Sequence, residues 1–388
     1  MYIRNLVVKN FRALEEIRCE FSPRMNVIVG PNAIGKTTIL QAIRLVKALI
    51  APRVANEAQQ ALISLGAVSP NLPQRIKLNA LARDDQKPVE IQCTYQLTQS
   101  EIDRLLQGRE AIAQMMIQSQ LGQAFANPTA LIQYLSSPPG QLAHRQAIQK
   151  LESTVKEFRA NGRLVFGVRL AAGPNAIEAI NPIAGQFISH LDQSLPAHRT
   201  IFSYFPADRA LPVGEVPVQL GSADLAQQLE SHNSQPQLKY TRLKSFVFNT
   251  VLMGDEAKKS IEMEFGKIFD GILKGRRIAS LGINEIGLLS INVQDIETGR
   301  EYEMDGLSSG EKGLILTFLL IAKSIERGGI VLLDEPELHL NPTICRDILN
   351  FAVENYSVPN DVQFIVCSHS PQILEAAFNR DEIGRAHV

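Results

Sequence analysis

Apolar and polar positions alternate along this chain in two different periods, and the switches between them predict its elements. Tyr2 to Val8 is rich in β-branched and aromatic residues, which predicts a strand that breaks near Asn10. Val27-Ile28-Val29 is a short apolar run of the kind a buried sheet strand gives, and it stops at Gly30. A helical period begins after Lys36: Ile39, Ala42, Ile43, Val46, Leu49 and Ile50 form one apolar stripe, with Gln41, Arg44 and Lys47 off it and Pro52 as the stop. Val89 to Leu97 reads as a further strand.

The middle of the chain has a different texture. Residues 100–200 are rich in Gln and Ala, with helical stretches broken at Pro128, Pro138-Pro139 and Gly140, and no heptad pattern survives four repeats. Pro206, Pro212, Pro217 and Pro236 punctuate a loop-rich return. Residues 240–275 read as helical, and residues 277–305 as strands turning near Asn284 and Thr298-Gly299. The last segment predicts a helix over Leu314 to Ile325 stopped at Gly328-Gly329. A buried strand at Ile330–Leu333, a helix over 343–355 and a strand at Val362–Cys367 follow. The expected organisation is an α/β fold with a helical insertion: 1–97 as one lobe, 98–240 as the mainly helical insertion and its return, 241–382 as the second lobe.

Composition narrows this only modestly. The 388 residues are 45% hydrophobic and 20% charged, an ordinary globular balance. Lys+Arg is 39 against Asp+Glu 40, which excludes a uniformly basic nucleic-acid coat but not a local basic surface. Lys274-Gly275-Arg276-Arg277, and eight Lys/Arg against three Asp/Glu in residues 1–50, are the local basic stretches; a solvated charged surface explains them as readily as phosphate contact. Cys19, Cys93, Cys345 and Cys367 are scattered without a C-x-x-C pair, which fits a reducing cytosol. The start of the chain lacks the apolar run of a signal peptide, and the longest apolar run, Gly313 to Ala322, is too short to span a bilayer. A cytoplasmic location with no membrane partner is expected.

Chemistry enters at Gly30-Pro31-Asn32-Ala33-Ile34-Gly35-Lys36-Thr37, which matches G-x-x-x-x-G-K-[ST] between an apolar strand and a helix. In such a loop the backbone N–H groups converge on phosphate oxygens, and the helix N-terminus adds its positive end. Lys36 supplies a charge for the β- and γ-phosphates and the Thr37 hydroxyl a ligand for Mg²⁺; Thr38 continues the phosphate-binding run. Ile330-Val331-Leu332-Leu333-Asp334-Glu335 is an apolar strand ending in two acids, with Asp334 suited to the Mg²⁺ shell and Glu335 to orienting and polarising the attacking water. Leu307-Ser308-Ser309-Gly310-Glu311 opens an apolar helix; its serines are either a second anion site, serving a nucleotide held by another subunit, or an ordinary N-cap. His369, between Ser368 and Ser370 at a strand end, is either a donor to a γ-phosphate or a plain surface residue.

The order of these four elements resembles the ABC-type ATPase heads of the SMC/RecF/OLD class, over roughly residues 1–50 and 277–375. The opening Ile3-x-x-Leu6-x-Val8-x-Asn10-Phe11-Arg12 is similar to the start of those heads, and Leu307–Glu311 to their signature. Leu333-Asp334-Glu335-Pro336-Glu337 with His339 and Leu340 resembles Walker B running into the D-loop, and Ser368-His369-Ser370 the switch histidine. The resemblance implies a P-loop NTPase fold of ABC type, hydrolysis of ATP with Mg²⁺, and a head-to-tail homodimer sandwiching two ATP. Lys36 and Thr37 would come from one chain, and Ser308, Ser309 and Gly310 from the other. Arg12 and Arg209, the latter in a Tyr204–Arg209 segment similar to OLD-like proteins, are candidates to reach the nucleotide; a surface salt bridge is the alternative for both.

Departures from the pattern are Ala33, Ile34 and Ser309, and a Q-loop glutamine is not placed, with Gln92 and Gln96 the candidates. Relatives with compact insertions often work in DNA repair or phage defence, so DNA or an effector protein is an implied partner. The rivals are a nucleotide-gated scaffold with little turnover and the nucleotide-binding subunit of a transporter. Finally, Ile383-Gly384-Arg385-Ala386-His387-Val388 is what a common sequencing adapter encodes in one frame. The natural gene is expected to run on past about Glu382; OLD-like proteins often carry a nuclease-type domain after the ATPase.

Overall fold

The computed structural model describes residues 1–31, 34–69, 76–121, 128–172, 176–196, 198–207, 254–283, 289–378 and 383–387. They fall into two compact units: residues 1–20 with 42–195, and residues 21–41 with 196–388. These units cut across the segments 1–97, 98–240 and 241–382, because the strand at residues 89–96 joins the first strand of the chain on one side and a strand at residues 163–170 on the other.

The first unit is built on a five-stranded antiparallel sheet in the order β2-β1-β4-β5-β6, with β1 Tyr2–Phe11, β2 Leu14–Glu20, β4 Val89–Gln96, β5 Arg163–Leu170 and β6 Ile177–Ile180. Its strands alternate as a half-buried sheet requires: Val89, Ile91, Cys93 and Tyr95 of β4 point into the core, as do Leu164, Phe166, Val168 and Leu170 of β5. β5 and β6 lie within the stretch expected to be mainly helical. Arg163–Leu170 alternates polar and apolar positions, but the Gln- and Ala-rich sequence around it favours helix.

Helices supply the rest of this unit: α2 Glu57–Ser64, α3 Gln99–Gln107, α4 Arg109–Leu121, α5 Pro128–Ser136, α6 Pro138–Arg159 and α7 Pro182–Gln193. Thr98 and Glu101 form a reciprocal capping box at the start of α3, and Ser137 caps α6 just ahead of Pro138. β1 ends at Phe11, near Asn10 as expected, and Asn10 is part of how it ends. Asn10 takes a left-handed backbone (φ 55°) while its buried amide donates to the carbonyls of Asp84 and Lys87 and accepts from the Asp84 N–H.

In the second unit a parallel five-stranded sheet runs β13-β3-β12-β11-β7, with β3 Met25–Val29, β7 Thr200–Phe205, β11 Ile325–Asp334, β12 Gln363–Ser368 and β13 Ile383–His387. β3, β7 and β12 are buried at every position, the pattern of strands covered on both faces. A small antiparallel meander, β10-β9-β8, adds β8 Arg276–Ile283, β9 Leu289–Asp295 and β10 Glu301–Glu303. The accompanying helices are α8 Asp255–Gly271, α9 Ser309–Ser324, α10 Pro342–Ala352 and α11 Pro371–Phe378. Phe265 and Phe269 of α8, Phe318 of α9, and Phe351 with Tyr356 belong to one core, in which Phe318 meets Phe351 edge-on with ring centroids 4.8 Å apart.

Two expectations change here. α9 ends at Ser324, not at Gly328-Gly329: Ile325 is already extended and begins β11. Gly328 (φ 73°) and Gly329 lie inside that strand, where its pairing with β7 shifts register between Ile325 and Ile330. They bend a strand and do not cap a helix. The second concerns α1, Lys36–Ile50, which is buried nearly all round; Arg44 and Lys47, off the apolar stripe, are 5% and 2% exposed. Lys47 is held there by charge: its Nζ donates to Glu57 Oε1 at 3.0 Å and Asp192 Oδ2 at 3.2 Å, and Arg53 Nη1 donates to Asp192 Oδ1 at 2.7 Å.

Candidate functional site

Parallel pairing puts the carboxyl ends of three neighbouring strands side by side. Val29 of β3 is in register with Ser368 of β12, and Cys367 of β12 with Asp334 of β11. Ligands of open parallel sheets bind at this edge. The sequence places the phosphate loop after β3, the acid pair at the end of β11 and the histidine just past β12.

Gly30 and Pro31 leave β3, and Gly35, with φ 106°, turns the chain into α1 in a conformation that glycine adopts without a Cβ penalty. Asn32 and Ala33 lie outside the described residues. Ile34 and Gly35 are partly exposed, and Thr38 is buried in the first turn of α1. The Lys36 ammonium folds back over the loop and donates to the carbonyls of Gly30 at 2.8 Å and Pro31 at 2.9 Å. The Lys36 carbonyl in turn accepts from Cys367 Sγ at 3.2 Å, which ties the start of the helix to β12. Thr37 Oγ1 donates to Asp334 Oδ1 at 3.1 Å, so the two expected metal ligands are adjacent although 297 positions apart in sequence. Two hard oxygens side by side suit Mg²⁺, which takes one or two protein ligands and completes its shell with phosphate oxygens and water.

Glu335 follows in a left-handed conformation (φ 43°), its N–H held by the Cys367 carbonyl at 2.8 Å. The next residues turn tightly: Leu338 N–H reaches the Glu335 carbonyl, Leu340 N–H the Glu337 carbonyl, and His339 is again left-handed (φ 63°). Non-glycine residues held at positive φ are strained and concentrate at functional sites. The ring of His369 meets Glu335: Nδ1 lies 3.1 Å from Oε1. Glu335, the candidate for orienting the water, and His369, the candidate donor to the γ-phosphate, are therefore in contact.

The signature residues occupy the start of α9. Ser308 is its N-cap, in a reciprocal box with Glu311: Ser308 Oγ accepts from the Glu311 N–H, and Glu311 Oε2 accepts from the Ser308 N–H and hydroxyl. Half-burial opposes the Glu311 charge, yet the Ser308 donors and Arg276 together hold its carboxyl below the usual range. Ser308 and Ser309 are exposed, while Gly310 is buried, with no room for a side chain: a Cβ there would lie 2.3 Å from the His339 carbonyl oxygen.

Other candidates fall elsewhere. Arg12 belongs to the first unit, where it has φ 51° and donates through Nη2 to the Leu65 carbonyl at 3.0 Å. Gln92 and Gln96 lie on β4, and Gln96 donates to the Asn161 carbonyl. Arg209 is outside the described residues. The Lys274–Arg277 stretch is compensated by neighbours: Lys274 pairs with Asp347, Arg276 with Glu311, and Arg277 donates to Gln294. Glu337 and Ser368, which belong to the quoted motifs but were not singled out, turn out to be buried and hydrogen-bonded to each other at 2.6 Å.

The chain matches the AAA ATPase domain family over residues 1–374, and it belongs to that family. It carries a P-loop ATPase domain of mixed α/β fold. Among curated proteins it is similar to the DNA replication and repair protein RecF. The Lactobacillus johnsonii protein is 49% identical over 43 residues, and that of Protochlamydia amoebophila 56% identical over 43 residues. Each match covers 11% of this chain and 12% of the relative's own length. Among solved structures, an Smc head bound to the C-winged helix domain of ScpA aligns with 97% of this chain and 92% of its own, at 14% identity and a TM-score of 0.49. Among the described residues no helix is long and apolar enough to cross a membrane.

Proposed function

We propose that two copies of this chain close head-to-tail around two molecules of Mg·ATP, and that hydrolysis lets them part. The observation that carries this reading is the double juxtaposition at the sheet edge: Thr37 with Asp334, and Glu335 with His369, each pair 3.1 Å apart. One set of groups is suited to hold the nucleotide and its cation; the other is suited to handle the attacking water.

In this reading the loop N–H groups and the α1 N-terminus bind the phosphates, and Lys36 exchanges its contacts with the Gly30 and Pro31 carbonyls for phosphate oxygens. Thr37 and Asp334 would hold Mg²⁺, which would supply positive charge against the phosphate chain. Glu335 accepts a hydrogen bond from the attacking water and aligns it with the γ-phosphorus, while His369 orients the Glu335 carboxylate and faces the γ-phosphate. Catalysis is then mainly positioning and charge stabilisation. The exposed Ser308 and Ser309 at the start of α9 serve the partner's γ-phosphate; Ser308 does so by turning its hydroxyl hydrogen from Glu311 Oε2 to a phosphate oxygen, while its Oγ still accepts from the Glu311 N–H. Because ATP binds across two chains, it favours the closed pair, and the cycle is a switch. RecF supplies the candidate cargo: the switch acts on DNA, or on an effector protein in the same pathway.

The test is the solution mass of Glu335→Gln by light scattering, with and without Mg·ATP. A monomer that becomes a dimer only with Mg·ATP supports the shared site and makes DNA the next ligand to add. A mass that never changes, with ATP binding demonstrated on the same sample, overturns it.

A further inference from the structure

One carboxylate in the second unit is buried beside the reacting groups and has been given no role. Glu337 is 7% exposed, and a single one of its oxygens, Oε1, accepts three donors: Ser368 Oγ at 2.6 Å, the His369 N–H at 3.1 Å and the Ser370 N–H at 3.2 Å. The two N–H groups precede α11, so the carboxylate also sits at the positive end of that helix. Ser368 Oγ closes the arrangement by accepting from the Ser370 N–H at 3.0 Å. The second oxygen, Oε2, is buried with no hydrogen-bond partner among the described residues. A buried carboxylate that leaves half its capacity unused is an expensive way to build a turn. A cheaper cap was at hand, since Ser370 Oγ already accepts from the Ile373 N–H.

What the arrangement does accomplish is geometric. Glu337 sits two residues beyond Glu335 on the same tight turn, and its three donors come from the three residues centred on His369. It therefore fixes the histidine loop to the acid loop, at a point where the His369 ring is 3.1 Å from Glu335 and 3.5 Å from Glu337 itself. We propose that Glu337 is a positioning residue of the hydrolytic site, clamping the Ser368–His369–Ser370 turn so that the His369 ring stays against Glu335. It touches neither water nor phosphate; it acts through His369. This inference rests on the assignment of Glu335 and His369 to hydrolysis.

Steady-state hydrolysis of Mg·ATP by the full chain tests it. Glu337→Ala removes the clamp and is expected to lower kcat about 10- to 100-fold, with KM for ATP within about twofold of wild type. Glu337→Gln keeps one acceptor oxygen and falls between, which guards against an Ala variant that folds poorly. In a His369→Ala background, Glu337→Gln is expected to change kcat by less than about twofold, because the group it positions is gone. Effects that multiply in full, or a rise in KM with kcat kept, overturn the proposal.

A wild-type chain that binds ATP without hydrolysing it would count against the hydrolytic reading instead. The clamp is then judged on the His369 ring resonance of ¹³C-histidine-labelled protein, assigned by its loss in His369→Ala. Glu337→Gln moves that resonance if the clamp exists, and an unmoved resonance overturns it.

Discussion

In the first unit Lys47 and Arg53 meet Glu57 and Asp192 in a buried cluster, two cations against two anions, with Lys47 donating to both acids and the Arg53 N–H also donating to Glu57 Oε2 at 2.7 Å. In the second unit Asp334, Glu335 and Glu337 gather at one sheet edge with the titratable His369, two residues of that turn are held at positive φ, and Glu337 Oε2 has no hydrogen-bond partner among the described residues. Burial alone pushes Lys47 toward its neutral form, but Glu57 and Asp192 outweigh it, and its pKa rises above the ordinary lysine value. The first cluster is closed: every charge has its complement inside the fold. The second sets three carboxylates against Lys36 and His369 on strained backbone, an arrangement that a divalent cation would balance. Burying charge is common to both, so burial does not identify a site; imbalance does.

The largest expected effects set these clusters apart. Asp192→Ala leaves Lys47 and Arg53 facing each other with one acid between them, and is expected to cost about 3–5 kcal/mol in urea unfolding. Glu335→Gln removes a charge from the crowded edge. It is expected to leave stability within about 1 kcal/mol of wild type while lowering kcat at least about 100-fold. Equal losses of stability in both variants would erase the distinction. Next in size is Gly310→Ala, whose methyl group must displace the His339 carbonyl. Overpacking of this kind costs about 1–3 kcal/mol, and because the displaced atom is on the acid turn, turnover should fall as well. Ser309→Ala, one residue earlier and exposed, is the control that should leave stability unchanged.

The same contrast explains what could be read from the sequence. The phosphate loop, the acid-tipped strand and the histidine after β12 were legible because each is a short pattern at a strand end, and a parallel sheet brings strand ends together without further instruction. The closed cluster was not legible. Lys47 and Asp192 are 145 positions apart, and a lysine off an apolar stripe is ordinarily solvated. Glu337 lay inside a quoted motif yet gave no sign of its part, since three donors converge on it only after β11 and β12 pair. Gly328-Gly329 misled for a local reason: two glycines after a helix suggest a cap, and nothing nearby says that Ile325 has already turned extended. β5 and β6 went unread because their alternation is brief and flanked by helix-forming residues.

A smaller effect is expected at the start of α9, where the two candidate roles of Ser308 can be separated. Ser308→Ala removes the hydroxyl that accepts from the Glu311 N–H. As a cap alone it should cost about 1 kcal/mol of stability and leave the rate per dimer intact. As a phosphate contact across the dimer, it should also weaken ATP-dependent association. A stability loss with normal association would confine Ser308 to capping and bring this helix start closer in kind to the closed cluster than to the crowded edge.

The smallest expected effect belongs to Glu311. Its partial burial favours the neutral acid, but the Ser308 N–H and hydroxyl and the Arg276 guanidinium favour the carboxylate more, so its folded pKa lies below the ordinary 4.5. A depressed carboxyl contributes stability that is fully present above its unfolded pKa and is lost as pH falls through the folded one. The stability difference between wild type and Glu311→Gln should therefore be constant from pH 7 down to about pH 4.5 and shrink below it. Urea midpoints of both chains at several pH values between about 7 and 3.5 measure this. A difference that keeps its size at the acid end would mean that the carboxylate charge is not what Ser308 and Arg276 hold, and that the box works by hydrogen bonds alone. Glu311 would then differ in kind from the buried acids of both clusters, whose worth depends on being charged.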